Sequence, residues 1–386
     1  MIFGCRTVQN KEMFTTLRVL ELASVLAGPS VGQFFAELGA EVIKVENPGT
    51  GGDVTRSWRI SGENTDDRSA YFCSCNWGKK SIVLDLSQKA DREKVLRLAE
   101  RADIVIASYK PGDAEKLGVS YGQLKQRKPA IIYGQISGYG SDDERVGYDA
   151  VIQAESGFMD LNGEPGGPAT KMPVALIDVL AAHQLKEGLL LAILKREKTG
   201  EGSRVEVSLM DTAIASLMNQ ATNWLVAGKL PTRQGSAHPN IAPYGDTFKT
   251  VDNKLLLLAI GNDRQFESLL TVLGCDPKEK TWSAFSTNPK RVQNREALCA
   301  LLSTVIKHLP GRELVSKLNQ LKVPAGLVQT VRDALATPAA GHLLLDVNDV
   351  MGIRSMVAVG VSAKANLTAP PHLGEHTAEI LRLIAL

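Results

Sequence analysis

At 386 residues, with 44% hydrophobic and 22% charged side chains, the chain has the length for two domains with sizeable cores and the balance of an ordinary globular protein. Its formal charge of +2 is spread without a basic block, which leaves no footprint for nucleic acid or an anionic membrane surface. Five cysteines at irregular positions (Cys5, Cys73, Cys75, Cys275, Cys299) make no disulfide framework, so a reducing cytoplasm is the expected compartment.

Met1–Met13 carries Arg6, Lys11 and Glu12 and no long apolar run, so no signal peptide is expected and Met13 is as good a start as Met1. Leu17–Leu22 reads as a strand. Ala27-Gly-Pro-Ser30 opens a helix, with Pro29 in its first turn and Gly39 stopping it. Glu41–Glu46 is the next strand, and Cys73-Ser-Cys75 reads as two thiols in a buried strand. Strands over Ser81–Leu86, Asp103–Ala107 and Ala130–Gly134, with a helix over Ala90–Ala102, complete an alternation that predicts a doubly wound parallel sheet. Ligands of such sheets sit outside the carboxyl ends of the strands, here the loops Ala23–Pro29, Asn47–Arg56, Ser108–Gly112 and Gln135–Gly140.

Pro173–Ile177 reads as a short buried extended run, and Val179–Leu194 as a core helix ended by Gly200 and Gly202. Asp178 stands at their junction. It is either an N-cap, its carboxylate accepting from the first free helix amides, or a catalytic carboxylate turned into a cleft. A strand over Ser203–Leu209 and a helix over Asp211–Ala227 follow. Gln234–Tyr244 is a loop long enough to be functional. Thr247–Ile260 reads as a hairpin turning at Asp252-Asn253, and helices are expected over Arg264–Leu273, Arg295–Leu309 and Gly311–Leu321. Leu343–Leu367 reads as strands and Thr377–Leu386 as a closing helix. The expected domains are Met1–Ala227, a smaller α+β domain over Gly228–Leu335, and a return of Ala336–Leu386 to the first.

No apolar run, Leu255–Ile260 included, approaches the ~20 residues of a membrane span. The turn Ala27–Gln33 lacks Gly-x-Gly-x-x-Gly, and Pro29 removes an amide a pyrophosphate would use, which argues against a dinucleotide. Gly-x-Ser-x-Gly is absent, and no His, Cys or Asp cluster has metal-ligand spacing. Of six histidines, His183 reads as structural, and His238 in the long loop is the plausible site histidine.

The stretches Val19-Leu-Glu-Leu22, Leu26-Ala-Gly-Pro29, Leu38–Glu46, Ser69–Phe72 with Asn76 and Lys79–Ser81, Pro111-Gly112, Ser137-Gly-Tyr-Gly140, Gly147–Ala150, Val174–Asp178, Lys198–Gly202, His238-Pro239, Ala242–Tyr244, Val323–Gly326 and Leu373–Thr377 follow one another along the chain. In that order, from about Leu17 to the end, the chain resembles the class III (formyl-CoA/carnitine-CoA type) CoA-transferases. The resemblance implies a Rossmann-like large domain with a smaller α+β domain, an interlocked homodimer, acyl-CoA and a carboxylic acid as substrates, and no permanently bound cofactor or metal. It makes Asp178 the nucleophile, ionised at a helix N-terminus whose amides compensate its burial.

It assigns coenzyme A to Leu26 and Ala27 (backbone), Asn47, Tyr71, Ser108, Tyr109, Lys116 and Tyr148, and matches the loop Gln234–Tyr244, with Gly235, to one that covers the active site, where His238 either binds an acceptor carboxylate or braces the loop. Oxalate-linked members have Gln where Leu26 stands and Arg where Asn47 stands, which weighs against oxalate or formate. Ala237-His-Pro239 and Ala242-Pro-Tyr244 look like dicarboxylate-using members, with succinyl-CoA as donor. The α-methylacyl-CoA racemases are similar too, but have His where this chain has Tyr148, and a phenol of pKa ~10 is a poor base at neutral pH. A non-catalytic acyl-CoA binder is the third reading.

Overall fold

The computed structural model describes residues 13–358 and 365–385. Cys5 and the expectations for the first twelve residues lie outside it. Six parallel strands form one sheet in the order β3-β2-β1-β4-β5-β6, with β1 Arg18–Leu22, β2 Glu41–Glu46, β3 Lys79–Val83, β4 Ile104–Ala107, β5 Ile132–Ser137 and β6 Ser203–Ser208. The third and fifth strands are displaced from the expected Ser81–Leu86 and Ala130–Gly134, because neighbouring strands rather than local propensity set their register.

Side chains alternate across this sheet, and each face finds helices. Val19, Val42, Ile104, Ile106 and Ile132 point to the face covered by α1 (Ala27–Glu37). Leu20, Ile82, Val105, Ala107 and Tyr133 point to the face covered by α2 (Lys89–Arg101) and α3 (Tyr121–Arg127). Every residue of β4 is buried, as a central parallel strand requires. A short helix, α4 (Asp149–Glu155), then leads to α5 (Leu176–Thr199), which lays Ile177, Ala181, Leu185 and Leu189 onto the first face.

Helix α5 starts earlier than expected. Pro173 and Val174 form an exposed bend, and Ile177 already lies in the helix. His183 is exposed on it. The expected helix Asp211–Ala227 is two, α6 (Leu209–Ser216) and α7 (Met218–Ala227), broken where Met218 takes φ 43. Cys73 and Cys75 are buried as expected, but in a helical turn and the bend after it rather than in a strand.

By its internal contacts the chain separates into two compact units. The first holds the chain up to Phe158, Lys171–Ala227, and from His342 onward. The second holds Met159–Thr170 with Gly228–Gly341. Met159–Thr170 leaves the first domain's expected span because the Gly235 N–H donates to Gly163 O (2.9 Å) and Arg233 reaches the Asp160 carbonyl (2.9 Å) and carboxylate (2.7 Å). In the second unit the antiparallel strands β7 (Tyr244–Lys249), β8 (Leu255–Ala259) and β9 (Ala325–Leu327) pack against helices α8 (Asp263–Val272), α9 (Arg295–Ile306) and α10 (Gly311–Gln320). The hairpin turns at Asn253 (φ 57). In the first unit, β10 (Leu344–Val347) and β11 (Val350–Ile353) form a second hairpin; of the strands expected over Leu343–Leu367, residues 354–358 and 365–367 are not strand, and 359–364 lie outside the described residues. Helix α11 (Thr377–Ala385) closes on the α2 face through Ile380 and Ile384.

Candidate active site

The strand order reverses between β1 and β4, and the chain segments leaving those two strands part there. A cavity of about 190 Å³ opens at that point, walled by Ser24, Val25, Ala27 and Gly28 after β1, Ser108–Pro111 after β4, and Ser137 and Gly138 at the end of β5. A second cavity of about 310 Å³ lies over the ends of β2 and β3, walled among others by Lys44, Asn47, Thr50 and Asp53. Ser24 and Tyr109 belong to both walls, so the two cavities adjoin, and the stretch of sheet edge that carries them is here called the groove.

Asp178 lines the first cavity although only 7% of its surface is exposed. It is the third residue of α5, past the cap position, which Ala175 fills without a side-chain hydrogen bond. The expected compensation by helix amides is overturned. The Ile177 and Asp178 N–H groups donate instead to Asp149 Oδ1, at 2.7 and 3.4 Å. A side chain from α4 caps α5, and among the described residues nothing donates to the Asp178 carboxylate. Burial first, and the Asp149 charge second, push Asp178 up from 3.8 to about 7.

A sequence signal for this arrangement existed. Gly138 and Gly147 belong to two of the matching stretches, and their backbones touch: a Cβ on Gly147 would lie 2.4 Å from Gly138 Cα. That contact seats Gly147-Tyr148-Asp149 beside the start of α5, and only glycine fits on either side of it.

Beneath the groove runs a buried ionic lattice. Lys44 Nζ meets Glu21 (2.9 Å), Asp53 (2.8 Å) and the Ala23 carbonyl (2.7 Å). Lys79 Nζ meets Glu21 (2.8 Å), the Pro29 carbonyl and Asn76 (both 2.8 Å). Burial alone would lower Lys44, but Glu21, Asp53 and Glu46 hold it raised; at Lys79 burial wins and the ammonium is lowered. Arg56 forks onto Glu46 at 2.7 and 2.8 Å, and Ser81 donates to the same carboxylate (2.6 Å). Asp53 also accepts the Val25 N–H at 3.3 Å, across a turn in which Val25 stands at φ 73. A β-branched residue there is strained, at roughly 1–3 kcal/mol. The motif residues Glu21, Lys44, Glu46, Asn76 and Lys79 are thus the bracing of the groove floor.

Of the positions assigned by resemblance, Ala27, Ser108, Tyr109 and Tyr148 line the first cavity, and Asn47 and Tyr109 the second. Leu26 is half-buried at the start of α1, its carbonyl accepting from Ser30 N at 2.8 Å. Tyr71 stacks edge-on with Trp58 (5.2 Å) and is pushed up to about 12 by burial and by the Asp178 charge. Tyr109 is raised to about 12 by burial. Lys116 lines neither cavity; its side chain is 77% exposed and pairs with Asp113 at 3.1 Å, a solvated surface lysine.

In the second unit, Gly235 stands at φ 60, with Glu164 Oε2 2.8 Å from where a Cβ would be. The His238 N–H donates to Tyr244 O (2.8 Å), its Nδ1 accepts from Asn240 N (3.1 Å), and its ring meets Tyr244 edge-on at 5.2 Å. One histidine nitrogen is thereby committed to bracing the loop. Asp66, Asp67 and His372 bring carboxylate and imidazole atoms within 4.8 Å of one another, a grouping that sequence spacing does not reveal. All three are exposed, and Arg68, Arg56 and the Leu373 amide already engage the two acids.

Residues 15–377 match the family model described as CoA-transferase family III. The chain belongs to that family. It is an enzyme that transfers coenzyme A. Over 387 residues it is 36% identical to a succinate–glutarate CoA-transferase of Agrobacterium fabrum, covering 96% of this chain and 95% of that one. It is 35% identical to an acetyl-CoA:oxalate CoA-transferase of Acetobacter aceti, covering 88% and 87%. The crystal structure of a CAIB/BAIF family protein from Brucella suis superposes with a TM-score of 0.85 at 39% identity, covering 97% of this CoA-transferase and 100% of that chain. With a relative named for oxalate at nearly the same identity, the departures at Leu26 and Asn47 do not by themselves decide the acid. Among the described residues no helix is long and apolar enough to cross a membrane.

Proposed function

We propose that this CoA-transferase works through a covalent intermediate on Asp178. The observation that carries the reading is a buried carboxylate, to which none of the described residues donates, facing a cavity at the switch point of the sheet. An Asp178 oxygen attacks the thioester carbonyl, the C–S bond breaks, and a mixed anhydride and CoA thiolate result. The thiolate attacks the aspartyl carbonyl, the anhydride C–O bond breaks, and the donor acid leaves an Asp178–CoA thioester. The acceptor carboxylate then runs the two steps in reverse and frees Asp178. Each half exchanges one C–S bond for another, without water or redox change. A carboxyl raised to about 7 is both basic enough to attack and substantially ionised near neutrality.

Coenzyme A lies along the groove, past Tyr109, with Asn47 at one end and Ala27, Ser108 and Tyr148 at the other. The acceptor is a short dicarboxylate, with succinyl-CoA as donor. The name of the Agrobacterium relative and the loop carrying Gly235 and His238 support this choice. The active form is a homodimer, of the interlocked kind that the family resemblance implies, and the four described free thiols suit a reducing cytoplasm.

Incubation with succinyl-CoA followed by hydroxylamine or borohydride, then peptide mass spectrometry, tests the intermediate. The expected result is modification at Asp178, with transfer to glutarate abolished in Asp178→Ala. An unmodified Asp178 under turnover, with activity surviving the substitution, sinks the proposal. Incorporation of solvent deuterium into a 2-methylacyl-CoA without any acceptor would show a racemase instead. Binding of CoA without adduct or transfer would show a binding protein.

A further inference from the structure

Of the motif Gly147-Tyr148-Asp149, the first two residues line the first cavity, whereas Asp149 is no part of its wall. Asp149 is 8% exposed and accepts at both oxygens. Its Oδ1 takes the Ile177 and Asp178 amides, and its Oδ2 takes Gln153 Nε2 at 2.7 Å. Gln153, one turn further along α4, accepts the Met172 N–H at 2.9 Å. One short helix therefore grips the chain on both sides of the bend that delivers Asp178.

The electrostatics follow from the same contacts. An aspartate at the third position of a helix normally turns back to the free amides of the first turn, which stabilise its charge. Here those amides are occupied by another carboxylate. Asp178 loses the donors and gains a like charge, so its own carboxylate is left to the cavity.

We propose that Asp149 is a positioning residue for the transfer reaction, capping α5 so as to fix the Asp178 backbone and keep the first amides of the helix from the Asp178 carboxylate. This rests on Asp178 being the nucleophile. From the other elements around the cavity, Tyr109, Lys110, Arg145 and Tyr148 line the same space, and Tyr71 is near enough to feel the Asp178 charge. The next charges on α5 are His183 and Lys186, on later turns. Arg145 is committed to Asp143 (2.9 Å) and Glu155 (3.2 Å), and only Asp149 adds to burial in raising Asp178.

Asp149→Asn separates the two roles. Asparagine keeps an accepting oxygen for the Ile177 amide and removes the charge; Asp149→Ala removes both. In the succinyl-CoA-to-glutarate assay, the acid limb of kcat/KM should lie near pH 7 in the wild type. In Asp149→Asn it should move down by about one unit, with the melting temperature lowered by loss of the Gln153 Nε2 hydrogen bond but less than in Asp149→Ala. In Asp149→Ala, misplacement of the nucleophile should lower kcat by on the order of 100-fold. Should Asp149→Ala not fold, Asp149→Asn decides alone. Adduct capture at Asp178 runs alongside. A labelled Asp178 whose acid limb coincides in wild type and Asp149→Asn overturns this inference and leaves the nucleophile standing. An unlabelled Asp178 overturns both.

Discussion

At the scale of one residue, the setting of Asp178 makes the fold less stable, and it is this setting that the proposed nucleophile requires. Its ordinary value is 3.8 and its folded value about 7, so between those pH values the folded chain holds a proton that the unfolded chain has shed. Stability is therefore unimpaired below the lower value and declines as pH rises through the upper one. A gap of about three pH units corresponds to at most ~4 kcal/mol. Asp178→Asn should melt several degrees above the wild type at pH 8 and match it near pH 4, while losing transfer activity. Equal melting temperatures at pH 8 would mean that the carboxylate is not strained by its setting. The sequence marked Asp178 as an acid between apolar residues beside a helix. It did not mark what surrounds it, because the capping carboxylate is Asp149, 29 positions upstream, and belongs to a different helix.

At the scale of elements, the near-continuous apolar runs of β1 and β4 are visible in the sequence because each strand is buried on both sides by helices. What the pattern misplaced were edges and connections. Ile177 was read as extended, yet belongs to α5, since an apolar pair ahead of a helix has no period of its own. The glycines show how contact decides what composition cannot. Gly147→Ala would drive a Cβ to 2.4 Å from Gly138 Cα, backbone against backbone, and should cost about 1–3 kcal/mol while displacing Asp149 and lowering kcat. Gly122→Ala, inside α3 with nothing within 4 Å of its Cβ, should instead stabilise by about 0.5–1 kcal/mol. Urea unfolding of the two variants checks the pair, and equal signs would contradict the close crossing.

At the scale of the whole molecule, the four loops singled out from strand order all contribute to the groove, because a parallel sheet opens at its carboxyl edge whatever side chains it carries. The return of Met159–Thr170 to the second unit was invisible, since it depends on Arg233 and Gly235, far along the chain. Helix α7 has no buried residue. Met218, Trp224, Leu225 and Val226 are 70%, 52%, 76% and 84% exposed, and Leu191 and Leu194 on α5 add 67% and 59%. An apolar helix without a covered face is unstable alone in water, and a second copy of the chain is the partner we propose for it. Light scattering after size exclusion should give a dimer. Leu225→Glu with Val226→Glu should yield monomer or insoluble protein with transfer lost, and a monomeric, fully active wild type would refute the dimer.

The turn at Val25 bears on how this enzyme can be engineered. A β-branched side chain held at φ 73 is an obvious target for a thermostabilising redesign, since glycine or asparagine would release roughly 1–2 kcal/mol there. The same exchange would strip an isopropyl group from the cavity wall and loosen the backbone that Asp53 holds. A campaign scored on melting temperature alone would accept it and reshape the cavity that Asp178 lines unnoticed, so position 25 belongs among those to hold fixed.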